Sequence, residues 1–149
     1  MADAYVVDTG VFLRWFVDQP GHEHARQIRD DFLHGRVRLK TADFARIEVA
    51  GVLRKKGLLA GRLSADEFIA TVRIIDELGV RVYPVDADRL ERAAALAVRL
   101  TLRMYDAVFA QLALDQEIPL LTTDAKPHRA LDGVVETELL KTQDLSDHR

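Results

Sequence analysis

The sequence alternates short apolar runs with longer segments of helical periodicity, and this alternation strongly constrains the fold. Apolar or alternating runs lie at residues 4–8, 36–40, 80–85 and 118–122. Between them, apolar side chains recur at the three- and four-residue spacing of amphipathic helices. Strands that alternate with helices favour a parallel sheet covered by helices on both faces. The pattern therefore predicts a three-layer α/β/α fold with a central, mostly parallel sheet.

Capping and stop residues set the expected bounds of the helices. Ser64 and Glu67 form a capping box, and Gly57 and Gly79 are placed to end the helices that precede them. A last short strand is predicted at residues 134–135. The predicted helices include residues 11–17, 22–34, 64–79 and 105–115. A further helix starts at Thr41 or Asp43 and ends at Lys56, and another starts at Asp86 or Asp88 and ends at about Leu102.

Length and composition predict one globular domain over residues 1–149, with a polar tail at about 141–149. The chain is 48% hydrophobic and 30% charged, and no Gly-, Ser- or Pro-rich linker divides it. The absence of cysteine excludes disulfides and thiolate metal sites. No apolar run approaches the length of a membrane span. These features are those expected of a cytoplasmic protein.

The net charge of −3 gives the chain no overall attraction to nucleic acid. Binding to nucleic acid would therefore depend on a local basic patch or on a bound metal ion. Four residues near the candidate site described next are candidates for contacts with phosphate groups. They are Arg14, Lys126, His128 and Arg129, whose side chains can carry positive charge.

Four carboxylates occupy positions that a folded chain normally gives to apolar side chains. Asp8 ends the first apolar run, and Asp124 follows the run at 118–121 after two threonines. Glu48 and Asp106 fall on the apolar stripes of two predicted helices. In open α/β sheets, ligands bind outside the carboxyl ends of the strands, where Asp8 and Asp124 are expected. Because an unpaired buried carboxylate is costly, we expect all four acids to surround one divalent cation.

Each acid also has a local explanation when it is considered alone. Asp8 could close a turn with the residues that follow it, and Asp106 could cap its helix. Asp124 could cap a turn, and Glu48 could pair with an arginine. A shared cation accounts for all four with a single cause. Oxygen ligands of this kind select Mg²⁺ or Mn²⁺, which suits hydrolysis of a phosphodiester.

The motifs around these acids resemble those of a known family. Val-Val-Asp-Thr at residues 6–9, Glu48 within Ala-Arg-Ile-Glu-Val-Ala, Tyr-Asp-Ala at 105–107 and Leu-Thr-Thr-Asp at 121–124 are similar to the motifs of PIN-domain nucleases. Their order and the chain length resemble the VapC toxins of toxin–antitoxin pairs. The resemblance spans about residues 4–140.

This resemblance implies an endoribonuclease that depends on Mg²⁺ or Mn²⁺, is normally dimeric and is held inactive by a cognate antitoxin. It also implies that four acids bind the metal and carry catalysis, with Thr122 as a supporting hydroxyl. Those acids are Asp8, Glu48, Asp106 and Asp124.

Two departures from the family pattern bear on the number of metal ions. Gly10 stands where the family more often has Asn or Ser, and the residues at 125–128 lack an acid that some members carry there. We therefore expect one firmly bound cation, with a second possible.

Other functions remain open at the level of the sequence. One is a PIN-type nuclease that processes RNA outside toxin systems, and another is a catalytically silent module that binds RNA or protein. A phosphotransfer receiver domain is disfavoured because Asp8 lacks an acidic neighbour and no lysine closes the last strand in the expected place.

Overall fold

The computed structural model describes residues 2–142, in which five parallel strands form one sheet with the order β3-β2-β1-β4-β5. Helices pack against this sheet, and the fold is the predicted three-layer α/β/α arrangement. The strands are β1 Ala4–Val7, β2 Arg38–Ala42, β3 Arg81–Tyr83, β4 Leu120–Thr122 and β5 Thr137–Leu139.

The helices occupy the connections between the strands, as a parallel sheet requires. Within residues 2–142 none of them is long and apolar enough to cross a membrane. The predicted polar tail at 141–149 lies mostly outside the described residues, which end at 142. The helices are α1 Thr9–Phe16, α2 His22–Leu33, α3 Phe44–Leu53, α4 Ala65–Thr71, α5 Ile74–Glu77, α6 Ala87–Leu100, α7 Met104–Gln116 and α8 Ala125–Ala130.

Strand β1 lies at the centre of the sheet, and β1 and β4 together form its topological switch point. The chain crosses from β1 to β2 on one side, whereas β4 lies against the other side of β1. Val6 pairs with Leu120 and Val7 with Leu121, so the two strands end at the same level. All four residues of β1 are buried. A crevice at the carboxyl ends of β1 and β4 is therefore the expected ligand position.

The last strand is not at residues 134–135, where the sequence predicted it. Gly133 adopts a positive φ of 78°, and the amides of Val134 and Val135 both donate to the Leu131 carbonyl at 2.9 and 3.0 Å. These bonds form a turn, and Val135 is apolar because it packs into the core from that turn. The strand that follows, β5, carries more polar residues and pairs with β4.

Two predicted helix bounds are also wrong. The segment at 64–79 keeps its capping box, but it splits into α4 and α5 because the Arg73 amide bonds three residues back to Ala70. Gly57 does not stop α3, which continues as a π-helical turn over Arg54–Leu58. A Cβ at residue 57 would lie only 2.6 Å from Leu63 Cδ1, so this glycine permits a close approach.

The apolar stripe of the segment at 64–79 divides between the core and the surface. Ile75 is buried and Phe68 packs against the core. Ile69 is 60% exposed, so part of this stripe remains free to face another molecule.

Candidate active site

Asp8 is fixed at the junction of β1 and α1. It is the N-cap of α1, and its Oδ1 accepts a hydrogen bond of 3.1 Å from the Val11 amide. Its Oδ2 accepts bonds from the Thr122 hydroxyl at 2.7 Å and from the Thr123 amide at 3.3 Å. The end of β4 therefore orients the carboxylate that ends β1.

The environment of Asp8 opposes its negative charge. Burial raises the pKa of the Asp8 carboxyl to about 6, although the bonds from Thr122, Val11 and Thr123 lower it. The neighbouring charge of Asp106 is a smaller cause that also raises this pKa. Removal from water thus outweighs three hydrogen bonds. A cation placed beside Asp8 and Asp106 would stabilise the ionised form.

Thr122 connects two of the predicted acids. Its side chain is buried at the end of β4. The hydroxyl donates to Asp8 Oδ2 and accepts a bond of 3.2 Å from the Asp124 amide. Asp124 in turn caps α8, where its Oδ1 accepts a bond of 3.1 Å from the Lys126 amide. A single hydroxyl therefore links the positions of Asp8 and Asp124.

Glu48 approaches the same region from α3. The Thr9 hydroxyl donates to Glu48 Oε1 at 2.5 Å, which ties this carboxylate to the first residue of α1. Helix α3 buries Ala45, Val49 and Leu53. Glu48 is half-buried at the edge of that stripe, so its predicted place on the stripe itself is wrong.

Asp106 lies in the first turn of α7, where the helix dipole favours a carboxylate. Its side chain is 17% exposed. The Phe44 ring packs against the rings of Tyr105 and Phe109, with centroids 5.2 and 4.9 Å apart. This cluster holds α3 against α7, one helical turn from Glu48 and beside Asp106.

Arg103 belongs to the site and was not identified from the sequence. Its Nε donates to Asp106 Oδ2 at 3.1 Å, and its Nη2 lies 3.8 Å from Asp124 Oδ2. These pairings raise the pKa of Arg103, with the bond to Asp106 as the largest cause. The only signal in the sequence is an arginine three residues before an aspartate, a spacing common on helix surfaces.

The predicted phosphate-binding residues are divided between three places. Lys126 lines a small cleft of about 50 Å³ together with Arg103, Asp106 and Asp124. Arg14 donates to the carbonyls of Gly10 at 2.9 Å and Pro20 at 2.7 Å.

His128 and Arg129 line a separate cavity of about 660 Å³ between α8 and β5. In that cavity, His128 Nδ1 lies within hydrogen-bonding distance of Thr137 Oγ1, at 2.6 Å. Thr137 pairs with Leu120, at the end of β4 opposite the acids. The structure therefore brings Lys126 to the acids and places His128 and Arg129 elsewhere.

Gly10 is required by the space around it. An added Cβ at residue 10 would lie 2.2 Å from Thr123 Oγ1 and 3.2 Å from Thr123 Cβ. The Thr123 side chain thus fills the volume that a side chain at position 10 would take. This packing explains how the chain accommodates a glycine at a position beside Asp8.

We expect Gly10→Ala to destabilise the protein by about 1–3 kcal/mol, because the new methyl group overpacks the contact with Thr123. Thr123→Ala removes the clashing atoms, so the double variant should recover much of that loss. Urea unfolding of both single variants and the double variant measures the coupling. Additive effects of the two substitutions would contradict the steric account.

The donor set of the site suits a hard divalent cation. All the donors are carboxylate or hydroxyl oxygens, the ligands that Mg²⁺ and Mn²⁺ prefer. Among residues 2–142, no group of three acidic or histidine side chains is already gathered at metal-binding distances. The carboxylates of Asp106 and Asp124 are instead bridged by Arg103. Cation binding would therefore require that side chain to move.

Comparisons with known proteins agree with this fold. The profile of the PIN domain family matches residues 5–133. No curated protein matches the sequence significantly.

Solved structures with the same fold include a toxin and two structures from toxin–antitoxin systems. A toxin–antitoxin complex from Klebsiella pneumoniae superposes with a TM-score of 0.69 at 16% identity, over 93% of this chain and 99% of that one. VapC20 of Mycobacterium tuberculosis, a Sarcin-Ricin loop cleaving toxin, gives 0.68 at 21% identity, over 89% and 97%. A VapBC-5 structure from the same organism gives 0.55 at 24% identity, over 94% and 99%.

The family profile covers most of the chain, and its match includes all four acids. The chain superposes on two of the solved structures over 97–99% of their length. The chain therefore belongs to the PIN-domain family.

Proposed function

We propose that this protein is an endoribonuclease that depends on Mg²⁺ or Mn²⁺ and is the toxin of a type II toxin–antitoxin pair. One observation carries the proposal. A half-buried Asp8 is held by Thr122 at the carboxyl end of β1, close enough to Asp106 for the two charges to repel. Such an arrangement is unfavourable for folding alone and favourable for binding a cation.

In this proposal, Asp8, Glu48, Asp106 and Asp124 hold the cation, with one ion bound firmly and a second possible. When bound, a divalent cation supplies positive charge for the phosphate and lowers the pKa of water for in-line attack on phosphorus. Thr122 keeps Asp8 in one orientation, and the Thr9 hydroxyl does the same for Glu48.

The cleft beside the acids would receive the phosphodiester. Lys126 lines this cleft and carries a charge suited to a neighbouring phosphate. In this proposal, Arg14 affects the site through the electrostatic field of its positive charge and not by contact with the phosphate. Its guanidinium already donates hydrogen bonds to backbone carbonyls. We assign no contact with the scissile phosphate to His128 or Arg129, which line the other cavity.

The proposed partners follow from the structural neighbours. Several are toxin–antitoxin complexes, and VapBC2 of Rickettsia felis is bound to a DNA fragment from its promoter. We propose that this protein likewise binds a cognate antitoxin, forms a homodimer and acts on RNA in the cytoplasm. Exposed apolar side chains such as Ile47, at 74%, and Ile69 support an interaction surface on α3 and α4.

The proposal is tested by incubating the purified protein with a panel of structured RNAs in Mg²⁺, in Mn²⁺ and in EDTA. We expect discrete cleavage products with either metal and none in EDTA. Cleavage at the same rate in EDTA would contradict metal dependence. Expression of this protein alone, without an antitoxin, should arrest growth, and normal growth together with RNA cleavage would favour an RNA-processing nuclease outside toxin systems.

A further inference from the structure

Arg103 occupies an unusual position for a side chain that precedes a helix. It is the N-cap of α7 with extended backbone, at φ −66° and ψ 151°. Its side chain turns back over the first turn, with Nε at 3.1 Å from Asp106 Oδ2 and Nη2 at 3.8 Å from Asp124 Oδ2. The guanidinium thus lies between Asp106, in the first turn of α7, and Asp124, the N-cap of α8.

The exposure of these groups shows which side of the site Arg103 covers. The Arg103 side chain is 74% exposed, whereas the Asp106 side chain is 17% exposed and that of Asp124 is 48% exposed. Arg103 therefore lies between the acids and the solvent. Ion pairs in such exposed positions are weak, so the guanidinium can leave at small cost.

Charge prevents Arg103 and a metal ion from occupying this place together. Arginine does not lose its proton in proteins, so it cannot become neutral when another cation arrives. Mutual repulsion at short range would expel one of the two. Glu48 and Asp124 also attract the guanidinium, which places Arg103 within the field of three of the predicted acids.

We propose that Arg103 is a built-in counter-ion of the acidic site. Its guanidinium holds the position between Asp106 and Asp124 in the metal-free protein and is displaced when the divalent cation binds. Arg103 thereby sets the concentration of cation that the site requires and limits repulsion among the acids before the metal arrives. The inference rests on the proposed metal site, but it does not require that RNA be the substrate.

The test is calorimetric titration of Mn²⁺ into the full chain without RNA. We expect Arg103→Gln to bind Mn²⁺ about three- to ten-fold more tightly than the wild type, because the competing ion pair is lost. The matched control is Lys126→Gln, which removes the same charge from the same cleft. Its side chain forms no ion pair with an acid in residues 2–142, so we expect at most about a two-fold change.

Three results would overturn the inference. They are unchanged or weaker Mn²⁺ binding by Arg103→Gln, an equal gain in Lys126→Gln, and no Mn²⁺ binding by either the wild type or Arg103→Gln. Tighter binding without any RNA cleavage would instead support the counter-ion role and contradict the proposed nuclease. The two failures are therefore distinguishable.

A second readout and a second variant guard against misfolding. Without metal, Arg103→Gln should melt at a lower temperature than the wild type, and saturating Mn²⁺ should raise its melting temperature by more. If Arg103→Gln does not fold, Arg103→Lys carries the test. A single ammonium cannot span Asp106 and Asp124, so we expect about two-fold tighter Mn²⁺ binding. Binding equal to or weaker than that of the wild type would contradict the role.

Discussion

Asp8→Asn is expected to reduce RNA cleavage by about 10³-fold or more while the fold remains intact. Asparagine keeps the size of the side chain and one oxygen, so it can still cap α1 through the Val11 amide. It loses the negative charge that a cation needs. Its amide group also cannot accept the bonds that Thr122 and Thr123 now donate to Oδ2. Cleavage should therefore fail for lack of metal binding rather than lack of structure.

The measurement is single-turnover cleavage of one defined RNA in saturating Mn²⁺, with circular dichroism to check the fold. Asp66→Asn is the matched control, because it makes the same chemical change at an exposed residue in the first turn of α4. We expect its rate to stay within about two-fold of the wild type, since such surface substitutions have small effects. Wild-type cleavage by a folded Asp8→Asn would show that the catalytic site lies elsewhere.

The second large effect is a loss of stability as the pH rises, measured without metal. The folded protein raises the pKa of Asp8 from its ordinary value of 3.8 to about 6. Between these pH values the folded chain binds the Asp8 proton more tightly than the unfolded chain does. The stability from this group is therefore complete below about pH 4 and is lost as the pH rises through about 6. The expected loss is about 3 kcal/mol.

Urea unfolding in EDTA at several pH values between 4 and 7 measures this loss. Asp8→Asn lacks the titrating group, so the difference in unfolding free energy between variant and wild type isolates it. We expect the unfolding free energy of Asp8→Asn, relative to that of the wild type, to increase as the pH rises. Acids with lowered pKa, such as Asp115 beside Arg92 and Arg89, have the opposite sign and cancel in the difference. If the unfolding free energies of the two proteins change with pH in parallel, the raised pKa of Asp8 would be contradicted.

Asp8 and Asp124 could be placed from the sequence because strand polarity decides their position. A parallel sheet puts the carboxyl ends of all its strands at one edge, so an acid that follows a strand reaches that edge. Thr122 follows from the same argument, since it ends β4. The family resemblance added the expected roles of Glu48 and Asp106. The three-layer fold was predicted from the alternation of short strand-like runs with segments of helical periodicity.

Other parts of the site depend on contacts between residues that are far apart in the sequence, which local sequence patterns do not reveal. The path of the Arg103 side chain is set by where Asp106 and Asp124 meet in space. Gly10 departs from the Asn or Ser that is more common in the family, and the volume of the absent side chain is filled by Thr123, which is distant in sequence.

The last strand was predicted at the wrong place because a pair of apolar residues indicates burial but does not by itself indicate a strand. Val134 and Val135 suggested a strand because their side chains are apolar and branched at Cβ. A turn bonded to Leu131 buries Val135 equally well. Strand β5 forms by backbone pairing with β4, and residues with polar side chains make this pairing as well as apolar ones do.

The most direct test of the central claim is the chemistry of the RNA ends after cleavage by the purified wild type. Hydrolysis by water at a metal site leaves linear phosphate and hydroxyl ends. We expect only these ends, with product formation abolished by EDTA and restored by added Mn²⁺. Products that carry a 2′,3′-cyclic phosphate and form equally in EDTA would mean that the RNA's own 2′-hydroxyl attacks. Such a result would contradict a metal-dependent site built from Asp8, Glu48, Asp106 and Asp124.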